Sequence, residues 1–299
     1  MKKRIKWVAG ISALALASTA LAVTLTFDDS YDGRTTLGSS YTTVCVNSTS
    51  GNGCSQTDWS LKPWTSGQTC GTGAANCYLS PHQAEYADYN RSAALVNATD
   101  GSPTSHLEVS ADITGEENPD DSDSPEGECV DNTKGQNCYD NMNAGLVLNS
   151  TSGTNLDNFV ACKIEVNADG EAGSRPRGLI NISDWQRPSG QNVHTNSRIT
   201  DYTSFLSPNP PLLVNGTTYH LVFYRVADSN TYGTYYCTVS GGNLTNPVTV
   251  SWIATGNGTD PFTPNEGTFA GARAKVANNS TDHEDSGATR FDTFQYKVH

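Results

Sequence analysis

Hydrophobic and polar residues alternate in one segment after another along the second two-thirds of the chain. In residues 106–113 the apolar positions Leu107, Val109, Ala111 and Ile113 alternate with polar or charged ones. A period of two residues predicts a β-strand with one buried and one solvated face. Strands bounded by Gly, Asn, Asp or Pro are likewise predicted at 144–149, 158–167, 178–184, 219–227, 232–240, 245–254, 268–276 and 289–298.

The connections between these strands define the fold class. No ten-residue amphipathic helical pattern separates them, which excludes parallel βαβ units and predicts an all-β, two-sheet antiparallel jelly-roll sandwich. Abundant Asn, Thr, Ser and Gly suit long polar loops, and scarce Leu, Met and Lys argue against much helix. No linker divides residues 23–299, so we predict a single domain.

The first 22 residues predict an export signal. Four basic residues in the first six positions precede a short apolar core and the small-residue triplet Ala20-Leu21-Ala22, so Val23 is the expected first mature residue. A membrane anchor is the alternative, but the apolar core falls short of the roughly 20 residues that span a bilayer. The pattern is of bacterial type and predicts a secreted, extracellular or periplasmic protein without membrane insertion.

The charge balance limits the classes of partner. The chain has a formal net charge of −13, and without residues 1–22 it keeps 14 Lys and Arg against 31 Asp and Glu, a net charge of −17. No run of Lys or Arg offsets the repulsion of nucleic acid or of an anionic membrane, so the charge balance disfavours both as partners, and we expect no nucleic-acid partner. Nothing in the sequence calls for a second subunit, and we expect a monomer.

The cysteines predict disulfides. An even number in an exported chain favours disulfide bonding over free thiols. Their clustering favours three short loops and one long-range bond, with a metal site as the alternative that lacks zinc-type spacing. The expected pairs are Cys45 with Cys54, Cys70 with Cys77, Cys129 with Cys138, and Cys162 with Cys237.

Five segments, taken in order, resemble the concanavalin A-like superfamily and its laminin-G-like single-domain members. They are residues 25–29 (LTFDD), 143–148 (NAGLVL), 218–223 (TYHLVF), 271–274 (GARA) and 290–294 (RFDTF). Each motif alone is weak, and the order of all five carries the resemblance. It extends over most of the chain after the export signal, with poor fit in the two cysteine-containing, loop-rich stretches.

The resemblance implies that the first and last strands lie side by side, with Phe27, Phe291 and Phe294 turned inward. Many domains of this superfamily hold a structural Ca²⁺ where the terminal strands meet. By that resemblance Asp28 and Asp292 are candidate ligands. The alternative is that both carboxylates cap turns or accept bonds from backbone amides.

The same resemblance implies a binding face, because one curved sheet of such a sandwich holds a polysaccharide on its outward side. Sugar recognition needs flat aromatic surface for the pyranose rings and fixed hydrogen-bonding groups at their edges. The candidate carbohydrate-binding residues are Arg177, Asn181, Trp185, Gln191 and His220. For each residue the alternative is a structural role, such as a core edge for Trp185 or a surface charge for Arg177.

Whether the protein is an enzyme stays open at this point. The Glu-x-Asp-x-x-Glu arrangement of the superfamily's hydrolases is absent, which disfavours glycoside hydrolysis. A lyase that cleaves uronate polymers by β-elimination is one alternative, with His194, Arg198 and Tyr224 as candidate groups. The other alternative is an extracellular surface or matrix protein that binds other proteins. The first expectation is a secreted polysaccharide-binding protein.

Overall fold

The computed structural model describes about half of the chain, and those residues form two stacked antiparallel sheets. The described residues are 24–47, 59–65, 67–71, 76–81, 89–98, 106–115, 142–150, 159–167, 177–186, 195–204, 213, 217–228, 233–254, 268–277 and 289–299. Within them the regular structure consists of strands, as predicted for an all-β sandwich.

Sheet A contains eight strands in the order β13-β12-β11-β6-β15-β4-β3, with β1 also paired to β15. All of its strand pairs are antiparallel. The strands are β1 (Thr24–Asp29), β3 (Trp59–Pro63), β4 (Cys77–Pro81), β6 (Leu107–Thr114), β11 (Thr218–Val226), β12 (Thr234–Gly241), β13 (Val248–Ile253) and β15 (Arg290–Val298).

Sheet B contains seven antiparallel strands in the order β10-β9-β8-β7-β14-β5-β2. Its strands are β2 (Tyr41–Asn47), β5 (Tyr89–Asn97), β7 (Met142–Ser150), β8 (Phe159–Asn167), β9 (Arg177–Gln186), β10 (Thr195–Ser204) and β14 (Phe269–Ala277). The nine strands predicted from alternation are confirmed as β6 to β9 and β11 to β15. The strands β2, β3, β4, β5 and β10 were not predicted.

The main core lies between the two sheets and follows the alternation of each strand. In β11 the side chains of Tyr219, Leu221 and Phe223 are fully buried, whereas His220 is exposed and Tyr224 half-buried. Burying a large apolar side chain contributes about 1.5–3 kcal/mol. The inward faces of both sheets together therefore supply the main stabilisation of the sandwich.

Two interactions tie the sheets together through this core. The disulfide between Cys162 of β8 and Cys237 of β12 joins them, with Cα atoms 5.3 Å apart and both residues fully buried. In addition, Nδ2 of Asn149 in β7 donates to the hydroxyl oxygen of Tyr235 in β12 over 2.6 Å. Among the described residues, a covalent bond and a hydrogen bond thus both cross the layer between the sheets.

The structure confirms two of the four predicted disulfides. Besides the cross-sheet bond, Cys70 and Cys77 are bonded, with Cα atoms 6.0 Å apart. The other predicted pairs, Cys45 with Cys54 and Cys129 with Cys138, involve positions outside the described residues or a side chain that is not described. Disulfides are compatible with an extracellular protein.

The terminal strands meet as the resemblance implied. β1 pairs with β15, and the rings of Phe27 and Phe294 lie 5.9 Å apart at their centroids. Phe291 and Phe294 are fully buried, and Phe27 packs against the main core. The chain that follows β1 is anchored by Asp29, which accepts bonds from the Tyr31 backbone amide and the Tyr41 hydroxyl.

The predicted export signal lies outside the described residues. No helix long or apolar enough to traverse a bilayer occurs in the part of the chain that the structure describes.

Removing the two described disulfides tests how each constrains the unfolded chain. Replacing Cys162 and Cys237 together by Ala opens a loop with a sequence separation of 75 residues, whereas the Cys70 and Cys77 double variant opens one of 7. Because loop-closure entropy grows with loop length, we expect losses of about 4 and about 2 kcal/mol in the free energy of unfolding. Urea unfolding under non-reducing conditions measures both, and equal losses would contradict the entropic explanation.

Gly145 in β7 is required by close approach to the neighbouring strand. A Cβ atom at this position would overlap the backbone carbonyl oxygen of Cys162. Because backbone cannot yield as a side-chain tip does, we expect Gly145→Ala to destabilise the protein by roughly 3 kcal/mol. Gly67→Ala is the control: Gly67 has a φ of +83° and open space around it, so only about 1 kcal/mol of conformational cost applies. Thermal unfolding of both variants should rank them in this order.

Candidate functional site

Three polar side chains form a line across the outer face of sheet B. Arg273 of β14 is directly opposite Gly145 of β7, Gly145 is opposite Lys163 of β8, and Lys163 is opposite Asn181 of β9. The strand neighbours of all three belong to the main core, so the three side chains point away from it. We call Arg273, Lys163 and Asn181 the transverse row.

The transverse row is deeply buried although it faces outward. The exposed fractions of Arg273, Lys163 and Asn181 are 1%, 3% and 0%. Each of the three interacts with other groups of the chain. Burying charge is unfavourable unless partners offset the lost hydration, so two cations at the centre of one face are costly. Such groups are found preferentially at binding and catalytic sites.

The surroundings of the transverse row on the same face are apolar and mostly small. Ala93 of β5 is directly opposite Arg273, and the position between Arg273 and Lys163 carries no side chain because it is Gly145. A second buried cluster lies beside the row on the same face. It consists of Ala93, Leu95, Val147, Phe159 and Ala161, with Phe269 packed against it. A few convergent polar groups on an apolar floor are typical of ligand sites.

The structure brings three of the five predicted carbohydrate-binding residues to one strand. Asn181 lies in the transverse row, and Arg177 and Trp185 lie on the same strand, β9. In the pairing of β8 with β9, Trp185 is opposite Phe159. Gln191 lies outside the described residues, so its place in this face stays a prediction.

His220 is not part of this region, because β11 belongs to sheet A. Among the lyase candidates, Arg198 lies in β10 opposite Ser183 of β9, Tyr224 lies on β11, and His194 is outside the described residues. These groups were predicted to share one site, but His220 and Tyr224 lie on sheet A, whereas Arg198 lies on sheet B.

His220 takes part in an ion pair on the outer face of sheet A. Its Nδ1 lies 2.7 Å from Oδ1 of Asp112 in β6, and the hydroxyl of Thr293 donates to Oδ2 of Asp112 over 2.7 Å. The hydrogen bond from His220 lowers the pKa of the Asp112 carboxyl, and the same bond raises the pKa of His220, in both cases against the effect of burial. Both side chains are more than one-third exposed, which limits the energy of the pair.

Thr293 stands in an irregular part of β15. The register with β6 shifts between Asp292 and Gln295, and Thr293 has a φ of 52°. A left-handed backbone is rare for a β-branched residue. The bond from the Thr293 hydroxyl to Asp112 helps to hold this conformation, so the ion pair and the bulge support one another.

The two predicted calcium ligands are each engaged with neighbouring groups. Oδ1 of Asp28 accepts a bond from Gln295 over 3.2 Å, and Oδ1 of Asp292 accepts one from the Thr293 amide over 2.7 Å. Burial raises the pKa of Asp292. Among the described residues no group of three or more His, Cys, Asp or Glu side chains is placed to hold a metal. Calcium binding by Asp28 and Asp292 stays a prediction.

Sequence reasoning missed Lys163 and Arg273, which contribute the charges of the transverse row. The available signal was one long cation within an otherwise apolar strand, as in residues 159–164 (FVACKI) and 269–274 (FAGARA). Alternation places both cations opposite the core. Alternation does not show that β14 and β8 both pair with β7. Their pairing with β7 brings Arg273 and Lys163 into one line.

Comparison with known proteins gives structural likenesses at low similarity. No family model matches the chain, and a search of curated proteins finds no match. The endo-β-1,4-glucuronan lyase of the fungus Trichoderma reesei is similar at 12% identity, covering 91% of this chain and 95% of that one, with a TM-score of 0.43. A carbohydrate esterase of the Shiga toxin-encoding bacteriophage phi24B is similar at 8% identity, 93% and 100% coverage and a TM-score of 0.40.

A third likeness is the marine alginate lyase of Aplysia kurodai, at 8% identity, 75% and 84% coverage and a TM-score of 0.37. Likenesses at these values do not identify an activity.

The ion pair between His220 and Asp112 predicts a pH-dependent stability. The Asp112 contribution is present above its ordinary pKa of 3.8 and is lost as pH falls through its lowered value, and the His220 contribution is present below its ordinary 6.5 and is lost as pH rises through its raised value. We expect His220→Asn to cost up to about 1 kcal/mol near pH 5, and less near pH 9, because the exposed pair is partly screened.

Urea unfolding at both pH values measures this difference. Asp112→Asn should show the same profile, and the double variant should cost no more than either single one. An identical cost of His220→Asn at the two pH values would contradict the prediction.

Proposed function

We propose that the protein binds a polysaccharide along the outer face of sheet B, in a state in which the buried side chains of Arg273, Lys163 and Asn181 become accessible as its central polar contacts. We further propose that the sandwich is of the concanavalin A-like type and acts outside the cell after removal of residues 1–22. The main support for binding at this face is the presence of two cations and an amide, buried together in the transverse row.

The burial of the row supports a binding role more than a purely structural one. A buried ion pair or charge network seldom stabilises a fold better than apolar residues of the same volume would. The chain nevertheless places Arg273 and Lys163 on a face whose other described side chains are largely Ala, Val, Leu and Phe. A ligand that needs fixed donors in a water-poor site explains this arrangement.

The direction of the row supports an extended ligand. Arg273 and Asn181 are separated by three strand steps, which amounts to roughly 14 Å at the usual spacing of neighbouring strands. That distance exceeds one pyranose ring, so a chain of sugars is needed to contact the whole row. The partly buried aromatic residue Phe269 at one side supplies apolar surface for the face of a sugar ring.

The positive charge of the transverse row favours an acidic polymer as the ligand. The chain as a whole has a net charge of −13, which repels anions at long range. Arg273 and Lys163 concentrate two positive charges on one face, so that this face attracts anions locally. There a uronate carboxylate gains charge-assisted hydrogen bonds. The polymer is therefore expected to be recognised by its carboxylates at this face.

Cleavage of such a polymer by β-elimination is the second candidate function. It is favoured by the same cations, because neutralising the uronate carboxylate is a requirement for abstracting the neighbouring proton. Of the sequence-predicted groups, Arg198 lies on β10, next to β9, while Tyr224 lies on the other sheet. The base for this reaction is thus not identified among the described residues.

Charge removal in the transverse row tests the proposal. In Lys163→Met and Arg273→Met we expect retention on affinity gels containing alginate or polyglucuronate to weaken at least about tenfold, since losing one partner of a buried charge pair typically costs 2–5 kcal/mol. Lys62→Met is the matched control, because Lys62 is exposed on edge strand β3 of sheet A. Circular dichroism verifies that each variant is folded.

Two readouts separate the candidate functions. Retention without new absorbance from unsaturated sugar ends indicates binding alone, and a time-dependent rise in that absorbance indicates the lyase. Unchanged retention of both folded row variants, or equal weakening in Lys62→Met, would overturn the proposal that this face binds the polymer.

A further inference from the structure

The edge of sheet A formed by β12 and β13 contains no charged residue. The two strands read TYYCTVSG and VTVSWI. This is unusual in a chain with 31 acidic and 18 basic residues. Protein surfaces generally carry both signs of charge, and exposed sheet edges in particular are protected by charged side chains.

The outer face of this edge is built from hydroxyl-bearing and aromatic side chains. The inward positions of β12 are Tyr235, Cys237 and Val239, all fully buried. The intervening positions therefore face outward. The outward residues of the two strands are Thr234, Tyr236, Thr238, Ser240, Thr249, Ser251 and Ile253, and we call them the neutral edge.

Tyr236 is the central residue of the neutral edge. One face of its ring stacks on Tyr224 of β11, with the centroids 4.7 Å apart and the planes 12° from parallel. On its other side the directly opposite residue is Ser251 of β13. A serine side chain is too short to cover a phenol ring, and Tyr236 itself is half-buried beside the exposed Ser251.

Hydrogen-bonding groups and an apolar side chain flank the Tyr236 ring. The hydroxyls of Thr238 and Thr249 lie 2.8 Å apart, two residue pairs along the ladder from Tyr236 and Ser251 and on the same face. In the other direction Ile253 is 55% exposed. The neutral edge thus combines an aromatic plane, fixed hydroxyls and a small apolar contact within one patch.

We propose that the neutral edge is a second carbohydrate-binding site, which takes an uncharged glycan by stacking a pyranose ring on Tyr236. The apolar face of a pyranose matches the phenol ring, and its hydroxyls find partners in the hydroxyls beside it. The absence of charged groups favours a neutral sugar, because it provides no partner for a carboxylate or sulfate.

A second copy of this chain is a less suitable occupant of the neutral edge. Stable protein interfaces have a fully buried core of large apolar and aromatic side chains. In the neutral edge Ile253 is the one exposed large hydrophobic side chain among the described residues. The remaining outward groups are hydroxyl-bearing, which suits a sugar chain better than an apolar protein surface.

This site goes beyond the polymer binding proposed for sheet B. The two faces lie on opposite sides of the sandwich, because the neutral edge is on the outside of sheet A and the transverse row on the outside of sheet B. A single molecule would hold an acidic polymer on one side and a neutral polymer on the other.

The test compares the full-length mature protein with Tyr236→Ala and Tyr236→Phe on affinity gels containing xylan, a mixed-linkage β-glucan or galactomannan. Because Ala removes the stacking surface and Phe retains it, we expect about a tenfold loss of retention in Tyr236→Ala and near wild-type retention in Tyr236→Phe. Retention on acidic polysaccharide should be unchanged in both, and it is lost separately in Lys163→Met.

A second variant, Ser251→Lys, keeps the test decisive if Tyr236→Ala does not fold. It adds a long charged side chain beside the Tyr236 ring and should reduce retention on neutral gels in the same way. Wild-type protein that is not retained by any of the three neutral polymers would overturn the proposal. Folded variants that bind neutral polymers like the wild type would also overturn it. So would variants that lose self-association, measured by light scattering, while they keep their retention on neutral gels.

Discussion

Burial of one face of each sheet against the other is the constraint on which the rest of this structure depends. Neither sheet can satisfy its apolar positions alone, so the alternation in every strand fixes which residues turn inward. The bond between Cys162 and Cys237 joins the two layers through the middle of that core. Once the inward set is fixed, the outward set of each strand is fixed as well. The transverse row and the neutral edge are both products of this division.

The outer faces of sheets A and B differ in the polarity and the burial of their side chains. On sheet B the outward positions include a second apolar cluster together with Arg273 and Lys163, all deeply buried. On sheet A the outward positions include polar, partly exposed side chains such as His220 and Asp112. One sandwich therefore offers two chemically distinct surfaces, and the proposed functions assign a different class of sugar to each.

The sequence predicted strands where a single face is buried and failed where that pattern is absent. The alternating strand β11 was predicted almost to the residue. β5 was missed because both of its faces are buried: Ala93 and Leu95 lie in the second cluster, and Ala94 and Val96 lie in the main core. A strand buried on both sides has no period of two. β10, at the edge of sheet B, is largely polar and has no apolar face to detect.

The site was predictable in part, for a related reason. Asn181 was a predicted binding residue and lies on the outer face of sheet B, between the core residues Ile180 and Ile182. The sequence does not reveal which sheet a strand joins, and His220 was grouped with residues of the other sheet. Lys163 and Arg273 became neighbours only through the non-sequential pairing of β14 with β7.

The position of β15 has a consequence for how the molecule is made. Its residues 290–298 pair with β1, β4 and β6, so a strand close to the C-terminus occupies the interior of sheet A. The N-terminal half of the molecule cannot complete its sheet until those residues have left the ribosome, and contacts of such long sequence separation form slowly. Until β15 has been made, β1, β4 and β6 lack the strand that joins them in the interior of sheet A. Shortening the chain by its last ten residues would remove an interior partner of three strands at once.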